Sequence, residues 1–152
     1  MEFFGLDIGS HKIKAVKLAR KGKEFRLVAL GSGPATVKGL FSEAESDLTV
    51  LAQAIKKLHQ ETKIATKNVA AALPQDQVFT RVISLPKLSE KELDSALKWE
   101  AEQYVPLPLE EVTLAHQIVS EAKGDKKEKI ELLLVAAPNH LVDKMTKVLK
   151  TA

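Results

Sequence analysis

Cysteine and long apolar runs are both missing from this 152-residue chain. Without cysteine, disulfides, thiolate metal sites and cysteine nucleophiles are excluded. No apolar run approaches the ~20 residues of a membrane-spanning helix, and the N-terminus lacks the basic start and long apolar core of a signal peptide. We therefore expect a cytoplasmic protein.

Aromatic residues are scarce, and lysines are scattered through the sequence. Aromatic side chains make up 5% of the sequence, and the net charge is +3, with lysines interleaved among acidic residues in both halves. A nucleic-acid interface usually combines a basic patch with aromatic residues for stacking. We therefore expect no nucleic-acid partner. The length and the 45% hydrophobic content suit one medium domain or two small ones.

The stretch Phe4–Leu18, FGLDIGSHKIKAVKL, predicts a β-hairpin, because apolar residues alternate with glycine and aspartate before the turn and a second apolar run follows it. Gly9 permits a tight turn that leaves the next backbone N–H groups free to face an anion. Two interpretations remain open: a phosphate-binding turn in which Asp7 holds a magnesium ion through water, and an ordinary surface hairpin. The candidate site comprises Asp7, Gly9, Ser10, His11 and Lys12.

The following segments predict the rest of a first α/β unit. A third antiparallel strand is expected at Phe25–Leu30. Residues 31–46 are expected to form a loop, because they include glycine and proline and show no hydrophobic periodicity. An amphipathic helix is expected from Asp47, with Ser46 or Asp47 as its N-cap. The apolar run Val69–Leu73 predicts a strand parallel to one of the earlier strands, since a helical crossover precedes it.

A boundary is predicted after Asp76, which gives units of 1–76 and 77–152. The second unit is expected to begin with the strand Val78–Leu85 and a helix that has Ser89 and Glu92 as its capping box. The stiff loop Val105–Leu109 follows this helix. The strands Val112–Val119 and Ile130–Ala137 are expected to form a hairpin with its turn at Gly124-Asp125, and a last helix is expected after Pro138. This order predicts a three-stranded sheet with both helices on one side. The first of those helices is expected to bury Leu93, Ala96, Leu97, Ala101 and Tyr104.

The two units in this order resemble the N-terminal half of the PilM family of type IV pilus assembly proteins, relatives of the cell-division protein FtsA in the actin-like ATPase superfamily. The resemblance rests on FGLDIGSHKIKAVKL and on LPQDQVFTRVISLPKLSEKELDSALKWEAEQYVPLPLEEVTLAHQIV. It implies an α/β (α+β) fold, with a partial actin-like, ribonuclease H-like subdomain 1A at 1–76. The second unit, 77–152, is implied to be the strand-helix-strand-strand-helix module called subdomain 1C.

The resemblance also bears on nucleotide binding. Asp7, Gly9 and Ser10 fall on the family's first phosphate-binding motif with Lys12 in the same turn, whereas His11 stands where a small hydroxyl residue is expected. The family's other nucleotide-binding motifs are missing from this sequence. A turn open to water holds an anion weakly. We therefore expect no tightly bound ATP or magnesium and no hydrolysis by this chain, although a full-length form could bind both.

The function implied by the resemblance is recognition. In the PilM family, the extended cytoplasmic tail of the inner-membrane protein PilN binds in a groove between subdomains 1A and 1C. We therefore expect a cytoplasmic scaffold or adaptor of the pilus assembly platform, held at the inner membrane through protein partners, with other platform proteins or pilus ATPases as further candidates. The residues expected to contribute to the groove are Val78, Thr80, Val82, Trp99, Tyr104, Val105 and Leu107.

Several alternatives stay open at this stage. Trp99 is either part of that groove or an aromatic at the edge of the core. The alternative function is a nucleotide-dependent switch whose ATP site is completed by other subdomains, and an FtsA-like role in cell division is a third. The first unit is also expected to lack a strand and covering helices of subdomain 1A. An unpaired sheet edge and an uncovered apolar face favour self-association.

Overall fold

A computed structural model describes residues 2–36, 39–122 and 129–152. The predicted turn at Gly124-Asp125 lies outside these ranges. Within them the chain forms two β-sheets and three α-helices. The elements are β1 (Phe4–Ile8), β2 (Lys12–Lys21), β3 (Glu24–Pro34), α1 (Glu45–Glu61), β4 (Val69–Ala71), β5 (Phe79–Pro86), α2 (Glu90–Tyr104), β6 (Val112–Ala122), β7 (Lys129–Pro138) and α3 (Asn139–Thr151).

The first sheet contains four strands in the order β3-β2-β1-β4. The first three strands form the predicted antiparallel meander, and β4 pairs with β1 in parallel. Leu6 in β1 lies between Ala15 of β2 and Ala71 of β4. The parallel pairing predicted from the helical crossover is therefore confirmed, with β1 as the partner.

One face of this sheet packs on two helices. Alternate residues of β1 and β2 point to that face, and the apolar stripe of α1 covers them. The end of α3 completes the same core. Its buried members include Phe4, Leu6, Ile13, Ala15, Leu51, Ile55, Leu58, Met145 and Val148. Burial of this apolar surface is the main stabilising contribution to the unit.

The position of the last helix differs from the prediction. The compact units are 1–73 with 143–152, and 74–142, so most of α3 belongs to the first unit. The sequence assigned all of 77–152 to the second unit because an amphipathic stripe does not specify which core it covers. The first sheet has covering helices on one face, and its opposite face carries Val16 beside the exposed Leu30 and Ala70. Self-association stays a prediction that rests on the free edges and on this uncovered face.

The third strand is longer than predicted. β3 continues through Gly31 and Gly33 to Pro34, paired with the start of β2, where the sequence predicted a loop. Close packing explains the glycine at position 31: a Cβ there would lie 2.3 Å from Thr62 Cγ2 and 3.1 Å from Leu58 Cδ1. Glycine in a strand marks such a close approach.

The start of α1 also differs from the prediction. The helix begins at Glu45 with Ala44 as its N-cap, and not at Ser46 or Asp47. Ser42 organises this start, because its Oγ accepts the Ala44 N–H at 3.1 Å and donates to Asp47 Oδ2 at 2.5 Å. The Ser42 hydroxyl therefore fixes the chain that enters the helix, while no described side chain caps the first helical N–H groups.

The second sheet is antiparallel with the order β5-β7-β6. The nearly all-apolar β7 is central, as its composition predicts. Helix α2 packs on one face of the sheet through Leu97 and Ala101, over the buried residues Ile83, Ile130, Leu132 and Leu134. Tyr104, which was expected to be buried, is exposed at the end of α2. None of the described helices is long and apolar enough to cross a membrane.

The predicted capping box of α2 is confirmed. The carboxylate of Glu92 accepts the Ser89 N–H at 2.9 Å and the Ser89 hydroxyl at 2.6 Å. The Ser89 hydroxyl, followed by the backbone N–H, holds the pKa of Glu92 below its ordinary value of 4.5. Because the folded pKa is lowered, this contribution to stability is present above pH 4.5 and is lost as the pH falls below that value.

This cap predicts a pH-dependent effect of Ser89→Ala. At neutral pH the substitution should lower the free energy of unfolding by about 1 kcal/mol. Below pH 4.5 the penalty should shrink, because a protonated Glu92 is a weaker acceptor. Denaturant titrations at pH 7 and pH 3 measure this. Ser95→Ala is the control, since Ser95 donates only to the Lys91 carbonyl within α2. A penalty equal at both pH values contradicts the role of Glu92.

Candidate functional site

The turn between β1 and β2 is tight and is closed by one backbone hydrogen bond. Gly9 donates its N–H to the Lys12 carbonyl at 3.0 Å, which closes the turn. Among the described residues, the N–H groups of Ser10 and His11 have no backbone acceptor. A Cβ at position 9 would lie 3.0 Å from the Lys12 carbonyl oxygen, so glycine suits this turn. The structure thus brings the five predicted turn residues together, all within or beside one exposed loop.

Three of the five predicted site residues have side-chain partners other than an anion. The Asp7 carboxylate accepts a hydrogen bond from Lys14 Nζ at 3.0 Å, across the β1–β2 pair. Ser10 Oγ and His11 Nδ1 are 2.8 Å apart and share a hydrogen bond. Asp7 lies on the opposite face of β1 from Phe4 and Leu6 and is exposed, so its charge stays in water.

The turn offers little for a metal ion. Within the described ranges, no group of three or more histidine, aspartate or glutamate side chains is placed to hold one. Asp7 is therefore a lone carboxylate that already pairs with Lys14. The arrangement can present N–H groups and Lys12 to an anion in water, where such contacts are weak. Magnesium binding through Asp7 stays a prediction.

A separate cavity of about 740 Å³ opens in the first unit beside β1, β4, α1 and the end of α3. Its floor is apolar, and Lys56, Lys67 and Lys150 stand among its lining residues. His59 belongs to this cavity, where its ring lies 5.2 Å from that of Phe4 and its Nε2 is 2.9 Å from the Thr66 carbonyl oxygen. None of the site residues predicted from sequence lines it.

In the second unit, β5 is an edge strand. It pairs with β7 on one side, and no described strand pairs with its other side. Alternate residues Phe79, Ile83 and Leu85 pack in the core under α2. Thr80 and Val82 point to the opposite face and are exposed. A free edge of this kind can accept an extended peptide as an additional strand.

An arginine that the sequence analysis overlooked joins β5 to α2. The guanidinium carbon of Arg81 lies 3.3 Å from the centroid of the Tyr104 ring, a cation–π contact that holds the exposed tyrosine beside the strand. Arg81 shares the core-facing side of β5 with Phe79 and Ile83. The signal was available in the sequence, because a cation among core-facing positions of a strand needs a partner.

The remaining predicted groove residues do not all converge. Trp99 lies five positions before Tyr104, which places the two on different sides of α2, and it is exposed. Val105 is buried in the core, and Leu107 is half-buried against it. Val78 is half-buried just before β5. The structure therefore gathers Thr80, Val82 and Tyr104 around the β5 edge, with Arg81 added to the set. We call these four residues the β5 edge site.

The comparison with protein families identifies one family. Its model, described as type IV pilus assembly protein PilM, matches residues 5–152 of the chain. Among solved structures, the PilM-PilN type IV pilus biogenesis complex contains a chain that is 33% identical, with a TM-score of 0.85. That similarity covers 100% of this chain and 45% of the other, so this chain spans less than half the length of that relative.

A second solved structure is more distant. It is the cytoplasmic domain of EpsL, an inner-membrane component of the type II secretion system of Vibrio cholerae, with 14% identity and a TM-score of 0.55. The similarity covers 99% of this chain and 52% of that one, and at this identity it indicates the fold alone. The two sheets, the three helices and the close match to the first structure confirm the α/β, actin-like fold that the sequence predicts.

Proposed function

Because the chain belongs to the PilM family of type IV pilus assembly proteins, we propose that it is a scaffold of the pilus assembly platform that binds the cytoplasmic tail of a PilN-type protein. The observation that carries the proposal is the 33% identity, over 100% of this chain, to a chain of the PilM-PilN complex. The chain would lie at the cytoplasmic side of the inner membrane, where that protein partner would hold it.

We place the tail at the β5 edge site. An extended peptide added to β5 would gain backbone hydrogen bonds along the free edge, and its side chains would alternate between the two faces of the sheet. One set would lie near the Arg81–Tyr104 pair, and the other near Thr80 and Val82. Among the described residues of the other edge strand, β6, no cation–π pair of this kind is found, which is why β5 is favoured.

A titration with a synthetic PilN-type tail, followed by fluorescence anisotropy, tests this placement. Val82→Ser should weaken binding about tenfold, since burying a valine side chain on binding contributes about 1.5 kcal/mol or more. Tyr104→Ala should do the same. Val119→Ser on β6 is the matched control, because Val119 is 59% exposed and Val82 is 58% exposed. Unchanged affinity in Val82→Ser, or a loss in Val119→Ser, contradicts binding at β5.

The chain alone is proposed to be neither an ATPase nor a tight ATP binder. The N–H groups of the β1–β2 turn stand in water, and Asp7 is paired with Lys14. The runner-up function, a nucleotide-dependent switch, draws on the same free N–H groups at Ser10 and His11. It would require further subdomains to enclose the nucleotide.

Thermal unfolding with and without Mg-ATP separates these two functions. We expect no change in the unfolding midpoint when millimolar Mg-ATP is added. A ligand present at a hundred times its dissociation constant would add about 2.7 kcal/mol to the free energy of unfolding. A midpoint increase of that size, abolished by Gly9→Val in the turn but not by Gly22→Val in the β2–β3 turn, would favour the switch.

A further inference from the structure

The far end of the β2–β3 hairpin extends beyond the rest of the first sheet. β1 pairs with β2 between Ile13 and Val16, whereas β2 and β3 remain paired as far as Lys21 and Glu24. We call residues 18–27 the hairpin tip. Its strands have only each other as partners among the described elements, and the turn is made by Gly22, whose φ is 65°.

One face of the hairpin tip is apolar and open to solvent. Leu18 lies opposite Leu27, and Arg20 lies opposite Phe25, so these four side chains share a face. Phe25 is 69% exposed, Leu27 55% and Leu18 48%. Single exposed apolar residues are ordinary, but an adjoining group that includes a phenylalanine indicates an interaction surface.

The charge around this patch is strongly one-sided. The hairpin tip carries four cations, Arg20, Lys21, Lys23 and Arg26, and one acid, Glu24, all of them exposed. In the described part of the chain, none of the four cations forms an ion pair. Four cations against one acid give the hairpin tip a local excess of +3.

We propose that the hairpin tip docks on an anionic phospholipid surface. Phe25 and the two leucines would enter the boundary between headgroups and acyl chains, and the lysine and arginine side chains would extend to the lipid phosphates. Each basic residue near such a surface adds to the attraction. A nucleic-acid duplex would match the cations but would leave the leucine pair without a partner. This contact is additional to the proposed binding of a protein tail.

Flotation of the full chain with lipid vesicles tests the proposal. Binding to vesicles of phosphatidylcholine mixed with phosphatidylglycerol should exceed binding to phosphatidylcholine alone at least tenfold, and added salt should weaken it. Phe25→Ser and the triple variant Arg20→Gln/Lys21→Gln/Lys23→Gln should each lose binding about tenfold or more. These positions are exposed, so thermal midpoints should stay close to that of the parent protein.

A charge-matched control separates the effect of the hairpin tip on vesicle binding from the effect of the protein's net charge. Lys56→Gln/Lys57→Gln/Lys98→Gln removes the same charge from exposed helical positions and should leave vesicle binding unchanged. Equal losses in both triple variants would overturn the proposal. So would binding of duplex DNA but not vesicles, or a dimer abolished by Phe25→Ser without vesicle binding. The tip variants should bind the PilN-type tail normally, so this proposal can fail independently of the proposed function.

Discussion

Val148→Asp should unfold or severely destabilise the first unit. Val148 is 1% exposed within the core formed by the first sheet, α1 and α3. A carboxylate there has no partner among the buried side chains around it, and such burial is among the most costly single changes. We expect the free energy of unfolding to fall by more than about 4 kcal/mol.

Amide hydrogen exchange measures the loss of stability separately in each element of the first unit. Protection should be lost in β1, β2 and α1, because their core residues surround Val148. Thr146→Asp is the control, since Thr146 is exposed on the same helix and a surface change there should stay within about 0.5 kcal/mol. Unchanged protection in these first-unit elements would contradict the assignment of the end of α3 to this core.

Gly31→Ala should lower the free energy of unfolding by about 1–3 kcal/mol, the usual cost of overpacking. The new Cβ would lie 2.3 Å from Thr62 Cγ2. Thr62 cannot easily rotate away, because its Oγ1 donates to the carbonyls of Leu58 and His59, each at 3.0 Å. Denaturant unfolding of the variant measures the loss.

Two further variants make this prediction specific. Gly33→Ala should be neutral or slightly stabilising, because its Cβ would be 3.7 Å from Ile13 Cγ1 and the unfolded chain would lose freedom. Thr62→Ser removes the clashing methyl group and keeps the hydroxyl, so Gly31→Ala/Thr62→Ser should recover most of the lost stability. Equal penalties at positions 31 and 33, or no recovery in the double variant, would show that the close approach is not the cause.

The features that the sequence predicted correctly depend on neighbours along the chain. The meander, the capping box at Ser89 and Glu92, and the turn after Asp7 are all set by residues within a few positions of one another. The parallel pairing of β4 followed from the crossover rule. Local patterns and connection rules therefore sufficed for the element order.

The features that were missed depend on contacts between distant segments. Gly31 and Gly33 have the composition of a loop, and only the packing of Thr62 against β3 explains why a strand carries glycine there. The apolar stripe of α3 does not specify which of the two cores it covers. Tyr104 has the spacing of a core position in α2, and only the three-dimensional structure shows that it stacks on Arg81 instead. The sequence therefore predicted some members of the β5 edge site without its geometry.

Amide hydrogen exchange of β5 in the presence of a PilN-type tail tests the central claim most directly. Without any nucleotide, saturating tail peptide should slow exchange of alternate β5 amides, because N–H groups on the free edge would donate to the added strand. Exchange in β6, at the opposite edge of the sheet, should not change. Binding of the tail that leaves β5 exchange unaltered, or a requirement for ATP before any protection appears, would contradict the account.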